Sequence, residues 1–130
     1  MADLARGTTD PERRRRERRG RWAEVFAALA VRINGWRVLA VRHRARGGEA
    51  DIIAKRGSTI AIIEVKARRT EAEAIDAVGE HAWRRIEAAG DDWLMRHPYP
   101  NAAIRYDLVW VPTPLRPWRW PKRLAGAWEP

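Results

Sequence analysis

The chain has 130 residues, 45% of them hydrophobic, with 26 Lys and Arg against 17 Asp and Glu, a net charge of +9 and no cysteine. That length fits one compact domain, and the apolar fraction is sufficient for a core. The missing cysteines exclude a disulfide scaffold, thiolate catalysis and cysteine-ligated zinc or iron–sulfur centres, and His43, His81 and His97 are too scattered for a histidine-rich metal site. Residues 1–8 read as a loose tail before a single domain over residues 9–130. Residues 1–21 are charged throughout, and no uncharged stretch, residues 25–31 among them, is long enough to span a bilayer. Neither a signal peptide nor a membrane partner is therefore expected, and a cytoplasmic location is.

Thr9-Asp10-Pro11-Glu12 is a helix start, with Asp10 or Thr9 as cap and Pro11 in the first turn. The helix is expected to run to Asn34 and stop at Gly35. Trp22, Val25, Phe26, Leu29 and Ile33 recur at helical spacing and predict the packed face. Residues 36–44, 49–55 and 59–68 read as strands. The second and third are joined through Arg56-Gly57-Ser58, which is hairpin chemistry. Thr70-Glu71-Ala72-Glu73 is a capping box. It opens a helix that keeps the 3-4 rhythm through Ile75, Val78, Ala82, Ile86, Ala89 and Trp93 and ends before Pro98. Residues 104–111 form a fourth strand. Residues 112–121 hold four prolines and cannot be regular, and residues 122–130 are expected to make a short helical turn that packs Trp128, closing a Pro/Trp-rich extension over residues 112–130. The order α-β-β-β-α-β is a mixed α/β domain with a short sheet flanked by helices.

The basic balance points to a polyanionic partner, most often nucleic acid. Arg13, Arg14, Arg15, Arg16, Arg18, Arg19 and Arg21 crowd one segment, and Arg37, Arg42, Arg44 and Arg46 lead into Gly47-Gly48. Those glycines would let a substrate approach the backbone closely.

The carboxylates of the hairpin carry the chemistry. With a four-residue loop, Ile53 pairs with Ile62, Asp51 with Glu64 and Glu49 with Lys66, so four charged groups converge on one patch. Directly opposed carboxylates have Cβ atoms about 5 Å apart, and at an effective dielectric near 20 they repel by roughly 3 kcal/mol. Lys66 relieves part of that cost and a divalent cation relieves more; hard carboxylate oxygens favour Mg²⁺ or Mn²⁺. A salt-bridged sheet end, with Glu49 on Lys66 and the other acids on nearby arginines, satisfies the same residues. Glu24 is the one charged residue among positions 22–31. It lies beside a small-residue stripe of Ala23, Ala27, Ala30 and Val31, and either faces solvent or looks into the carboxylate patch.

Gly20-x-x-x-Glu24, Gly35-Trp36-x-Val38-Leu39, Arg46-Gly47-Gly48-Glu49-Ala50-Asp51-Ile52-Ile53-Ala54 and Glu64-Val65-Lys66 together resemble the YraN-like bacterial family. That family looks like a small member of the PD-(D/E)XK nuclease superfamily, similar in its core to archaeal Holliday-junction resolvases. The match is closest over residues 20–69. The resemblance implies a restriction-endonuclease-like core and a metal-dependent nuclease acting on structured or branched DNA, with DNA favoured over RNA. It makes Asp51 and Glu64 the ligands of Mg²⁺ or Mn²⁺, Lys66 the group that orients the attacking water, and Glu24 and Glu49 auxiliary acids. Arg44, Arg46, Gly47, Gly48, Arg68 and Arg69 are expected to meet nucleic acid. A homodimer is expected from the resolvase likeness, because junctions have two-fold symmetry. Three departures stand out: Arg42-His43 where an Asn-aromatic pair is usual, Ala67 in place of Thr, and Ala82-Trp83 in place of Lys-Gln. The alternative reading is a basic module that binds nucleic acid or a protein without cutting.

Overall fold

The computed structural model of the protein describes residues 10–130, apart from the side chains of Arg16 and Arg19. The expected tail at residues 1–8 lies outside the described residues, as does Thr9. Helix α1 (Pro11–Ile33) starts as its sequence dictates, with the Asp10 carboxylate accepting the backbone N–H groups of Glu12 and Arg13. It ends at Asn34. Gly35 then takes φ +88°, a left-handed turn in which its N–H reaches the Arg32 carbonyl.

Strands β1 (Arg37–Ala45), β2 (Gly48–Arg56), β3 (Thr59–Arg68), β4 (Ala103–Pro112) and β5 (Lys122–Trp128) lie in that order in one five-stranded sheet. Only the β3–β4 step is parallel. A parallel step needs a crossover, and α2 (Glu71–Asp76) and α3 (Glu80–Arg96) supply it. The central strands β2 and β3 carry apolar runs because both faces are covered. Ala23, Ala27 and Val31 of α1 pack on Ile52, Ala54, Ile63 and Val65. Trp83, Ile86, Ala89 and Trp93 of α3 pack on Ile53, Ile60 and Ile62 from the other side. A side chain at Gly90 would crowd Ile62, which explains the glycine inside α3.

Three expectations are corrected. The large apolar residues of α1 are not its packed face: Trp22 is 65% exposed, Val25 58%, Leu29 47% and Ile33 63%. The alanine stripe is buried instead, because small side chains let the helix axis come closer to the sheet. The helix that Thr70 opens, with its hydroxyl accepting the Glu73 N–H, is not continuous. It breaks at residues 77–79, where Gly79 is extended at the cap of α3, so Ile75 is left exposed. Residues 122–128 are a strand rather than a helical turn. They pair with β4, and Trp128 stacks on Trp83 at 6.3 Å. The observed order is thus α-β-β-β-α-α-β-β.

Strand β5 is held partly by charge. Asp107 on β4 is completely buried and accepts a bidentate contact from Arg105 (2.8 and 2.9 Å), one from Arg123 (3.3 Å) and the Gly126 N–H (2.9 Å). Residues 112–121 are irregular as expected, and their Trp120 meets Phe26 of α1 edge-on at 5.1 Å. No helix among the described residues is long and apolar enough to cross a membrane.

Candidate functional site

The β2–β3 hairpin has the expected register, with Lys55 opposite Ile60 and Ile53 opposite Ile62, and its ladder continues to Ile52–Ile63. Beyond that pair the regular pairing ends. There Asp51 Oδ2 accepts the backbone N–H of Val65 at 2.8 Å, so a side chain replaces the next ladder bond. Glu64, on the facing strand, is close enough to Asp51 to act on it both electrostatically and by side-chain hydrogen bonding. Lys66 Nζ lies 3.2 Å from Glu64 Oε2.

The electrostatics follow from this placement. Burial is the largest influence on Asp51 and the neighbouring Glu64 carboxyl adds to it, while the Val65 N–H and Lys66 pull the other way; the balance pushes Asp51 up to about 8. Glu24 of α1 is also raised, chiefly by burial and further by Asp51 and Glu49, against the opposing bond from Arg42 Nε at 2.8 Å. Glu24 therefore looks toward the acid pair and not into bulk solvent.

Two adjoining cavities share Glu24 and Asp51. One, of about 300 Å³, is lined by Gly20, Ala23, Glu64, Val65, Lys66, Ala67 and Arg68 as well. The other, of about 350 Å³, adds Arg21, Val25, Ala28, Arg32, Val41, Arg42 and Ile52. Together they form a cleft between α1 and the parted strands, acidic at its centre and bordered by arginines.

The four-charge patch expected of the hairpin is only partly assembled. Glu49 does not face Lys66. It stays paired with β1, opposite Arg44, whose Nε lies 3.3 Å away. Glu49 lies beyond Ile52–Ile63, the last pair between β2 and β3, so the expected pairing with Lys66 does not form. Gly47 and Gly48 also have a packing reason: a Cβ on Gly48 would come within 2.0 Å of the Arg85 carbonyl oxygen, so α3 presses on this turn. Arg44, Arg46 and Arg69 are exposed, and of the six residues expected to meet nucleic acid Arg68 alone lines the described cleft.

Arg32 and Arg42 also line the cleft, which the sequence motifs do not indicate. Arg32 was legible in principle, since Arg21, Glu24, Ala28 and Arg32 fall on one helical face. The contact of Arg42 with Glu24 has no sequence signal, because Arg42 reaches it from a positive φ of 52° in the middle of a strand. Among the described residues no group of three or more His, Cys, Asp or Glu side chains is arranged to hold a metal ion. The acid pair offers two carboxylates, the number Mg²⁺ commonly takes while keeping waters and substrate phosphates as its other ligands.

Comparison with known proteins bears on identity. The sequence model of the uncharacterised protein family UPF0102 matches residues 23–111. The chain is 47% identical over 116 residues to a UPF0102 protein of Mesorhizobium japonicum, covering 88% of this chain and 90% of that protein. It is 49% identical over 111 residues to one of Sinorhizobium medicae, covering 85% and 88%. A relative from Methylocella silvestris is 46% identical over 111 residues, covering 85% and 86%. Each is named only as a UPF0102 protein.

Proposed function

The chain belongs to the uncharacterised protein family UPF0102, and we propose that it is a Mg²⁺- or Mn²⁺-dependent nuclease hydrolysing phosphodiester bonds, with structured or branched DNA as its substrate. The observation that carries this reading is the Asp51 carboxyl, pushed up to about 8 beside Glu64 in a cleft where one lysine is the nearest compensating charge. Two carboxylates so placed fit a hard divalent cation, and Asp51 and Glu64 would hold it. An ion held there would supply Lewis acidity toward a phosphoryl oxygen and toward a water molecule. Lys66 orients that water and stabilises the charge growing on the phosphate. Glu24, held above its ordinary range, is the carboxyl available to exchange a proton with it. Arg21, Arg32 and Arg68 border the cleft and would hold flanking phosphates, fixing position without reading sequence.

The hairpin with its acid pair and following Glu64-Val65-Lys66, set against α1, also supports a restriction-endonuclease-like core of the PD-(D/E)XK type, similar to that of resolvases. The test is plasmid nicking and junction cleavage with Mg²⁺ or Mn²⁺, using wild type, Asp51→Asn and Lys66→Ala. Activity lost in both variants supports the assignment, and equal activity in all three removes it.

A non-cleaving nucleic-acid-binding module is favoured by a different observation: Asp51 already accepts the Val65 N–H, and Glu64 is already paired with Lys66. That reading expects salt-sensitive binding indifferent to divalent ions, and no heat when Mn²⁺ is titrated into the free protein.

A further inference from the structure

Trp36 stands at the other end of the sheet from the acid pair. It leads into β1, whose first residue Arg37 pairs with Lys55, four residues along β2 from Asp51 and so about 13 Å away. The indole is buried, with only 4% of its surface exposed. Three guanidinium groups surround it. The Cζ atoms of Arg56, Arg105 and Arg123 each lie 5.3 Å from the ring centroid, so any two are within twice that distance of one another.

These arginines come from β2, β4 and β5, and the fold brings them together with little negative charge to balance them. Asp107 is shared between Arg105 and Arg123. Among the described residues Arg56 donates to a neutral acceptor, the Asn34 carbonyl. Two of the three positive charges thus share one carboxylate, and the third has no acid paired with it among the described residues. The Trp36 Nε1–H is buried and has no acceptor among the described residues, an unusual state for a donor in a folded protein. Surplus positive charge, a set of donors and one unsatisfied N–H all call for the same thing, an anion with several acceptor oxygens. Guanidinium forks match phosphate oxygens in geometry, so phosphate is favoured over a carboxylate or halide.

We propose that the Trp36 cluster is a phosphate-binding site, separate from the acid cleft and built from Arg56, Arg105, Arg123 and the indole N–H. A nucleic-acid backbone and free phosphate present this chemistry equally. The backbone assignment rests on the proposed function, whereas the phosphate site itself does not.

The test follows the Trp36 indole N–H by two-dimensional ¹⁵N NMR, its signal identified by its loss in Trp36→Phe, with EDTA present throughout. Inorganic phosphate is expected to move that signal saturably, while sodium chloride at matched ionic strength leaves it in place. Arg56 is exposed, so Arg56→Met leaves the core intact, and it should weaken the phosphate midpoint about tenfold; Arg56→Lys should recover part of the loss. A blunt DNA duplex that moves the signal at lower concentration than inorganic phosphate identifies the backbone as the source, and movement by inorganic phosphate alone identifies a free phosphate. A signal unmoved by either ligand, moved equally by chloride, or unaffected by Arg56→Met overturns the proposal. Asp51→Asn should leave the phosphate response intact, so failure of the nuclease reading and failure of this site are separately visible.

Discussion

Asp51 Oδ2 accepts the Val65 N–H at 2.8 Å at the place where β2 and β3 cease to pair. The contact has two consequences. It satisfies a backbone donor that the missing ladder bond would leave open, and it holds the Asp51 carboxyl beside Glu64. Position 51 therefore serves both the sheet and the cleft.

That dual role gives Asp51→Asn a signature in pH. Folded Asp51 keeps its proton to about 8, whereas in the unfolded chain it is released near the ordinary carboxylate value of about 4. Between those limits the folded state binds more protons, so the metal-free protein loses stability as pH rises through the window and levels off above it. Thermal melts across the window should show that fall in wild type and its reduction in Asp51→Asn. Calorimetry with Mn²⁺ should show affinity rising with pH up to about 8 in wild type and no binding in the variant.

Lys66→Ala separates catalysis from binding. Removing one group that stabilises developing charge lowers kcat by about 10²–10³. Junction-cleavage kinetics should show that loss with KM little changed, since the arginines bordering the cleft are untouched.

Arg42 is a point of conflict between backbone and side chain. Its φ of 52° is disfavoured for a long side chain, by about 1–2 kcal/mol, while its half-exposed pair with Glu24 contributes about 0.2–1 kcal/mol. The backbone effect is the larger. Arg42→Asn, an exchange for a residue that tolerates this conformation, should raise stability by up to about 1 kcal/mol in urea melts. Without the Arg42 bond, Glu24 should titrate at still higher pH, measurable by ¹³C carboxyl NMR.

The buried face of α1 is tested by a pair of substitutions. Ala27→Leu forces a larger side chain between α1 and the sheet, where Ala27 is completely buried, and should cost about 1–3 kcal/mol. Trp22→Ala removes a far larger side chain from a mostly exposed position and should change stability by only about 0.5 kcal/mol. The reverse ranking in chemical denaturation would contradict the observed orientation of the helix.

Gly48→Ala examines the turn where α3 meets the β1–β2 connection. A Cβ at 2.0 Å from the Arg85 carbonyl oxygen cannot be accommodated without moving the helix, so a loss of about 1–3 kcal/mol is expected in thermal unfolding.

Local rules made much of this fold legible. Asp10 and Thr70 announce helix starts, Gly35 a stop, and Arg56-Gly57-Ser58 the hairpin whose register holds from Arg56–Thr59 to Ile52–Ile63. These features depend on neighbours in sequence. The misread features depend on distance in space. Apolar area ranks Trp22 and Leu29 above Ala23 and Ala27, but a helix that lies close on a sheet needs the small residues inward. Gly79 breaks a helix that its apolar rhythm would continue. Lys122–Trp128 becomes a strand because β4 offers it an edge. Glu49 was displaced from the patch because a ladder need not continue to the ends of its strands, and no residue near Ile52 marks where this one stops.

The buried carboxylate of Asp107 draws its partners from both sides of a long interval in the chain. Arg105 precedes it by two residues, while Arg123 and Gly126 arrive only with β5. Arg105 balances the charge of Asp107, but without β5 the carboxylate lacks the Arg123 and Gly126 donors and the strand that covers it. Closure of the domain is coupled to its final segment, and shortening the chain before residue 123 would open the interior to water rather than trim its edge.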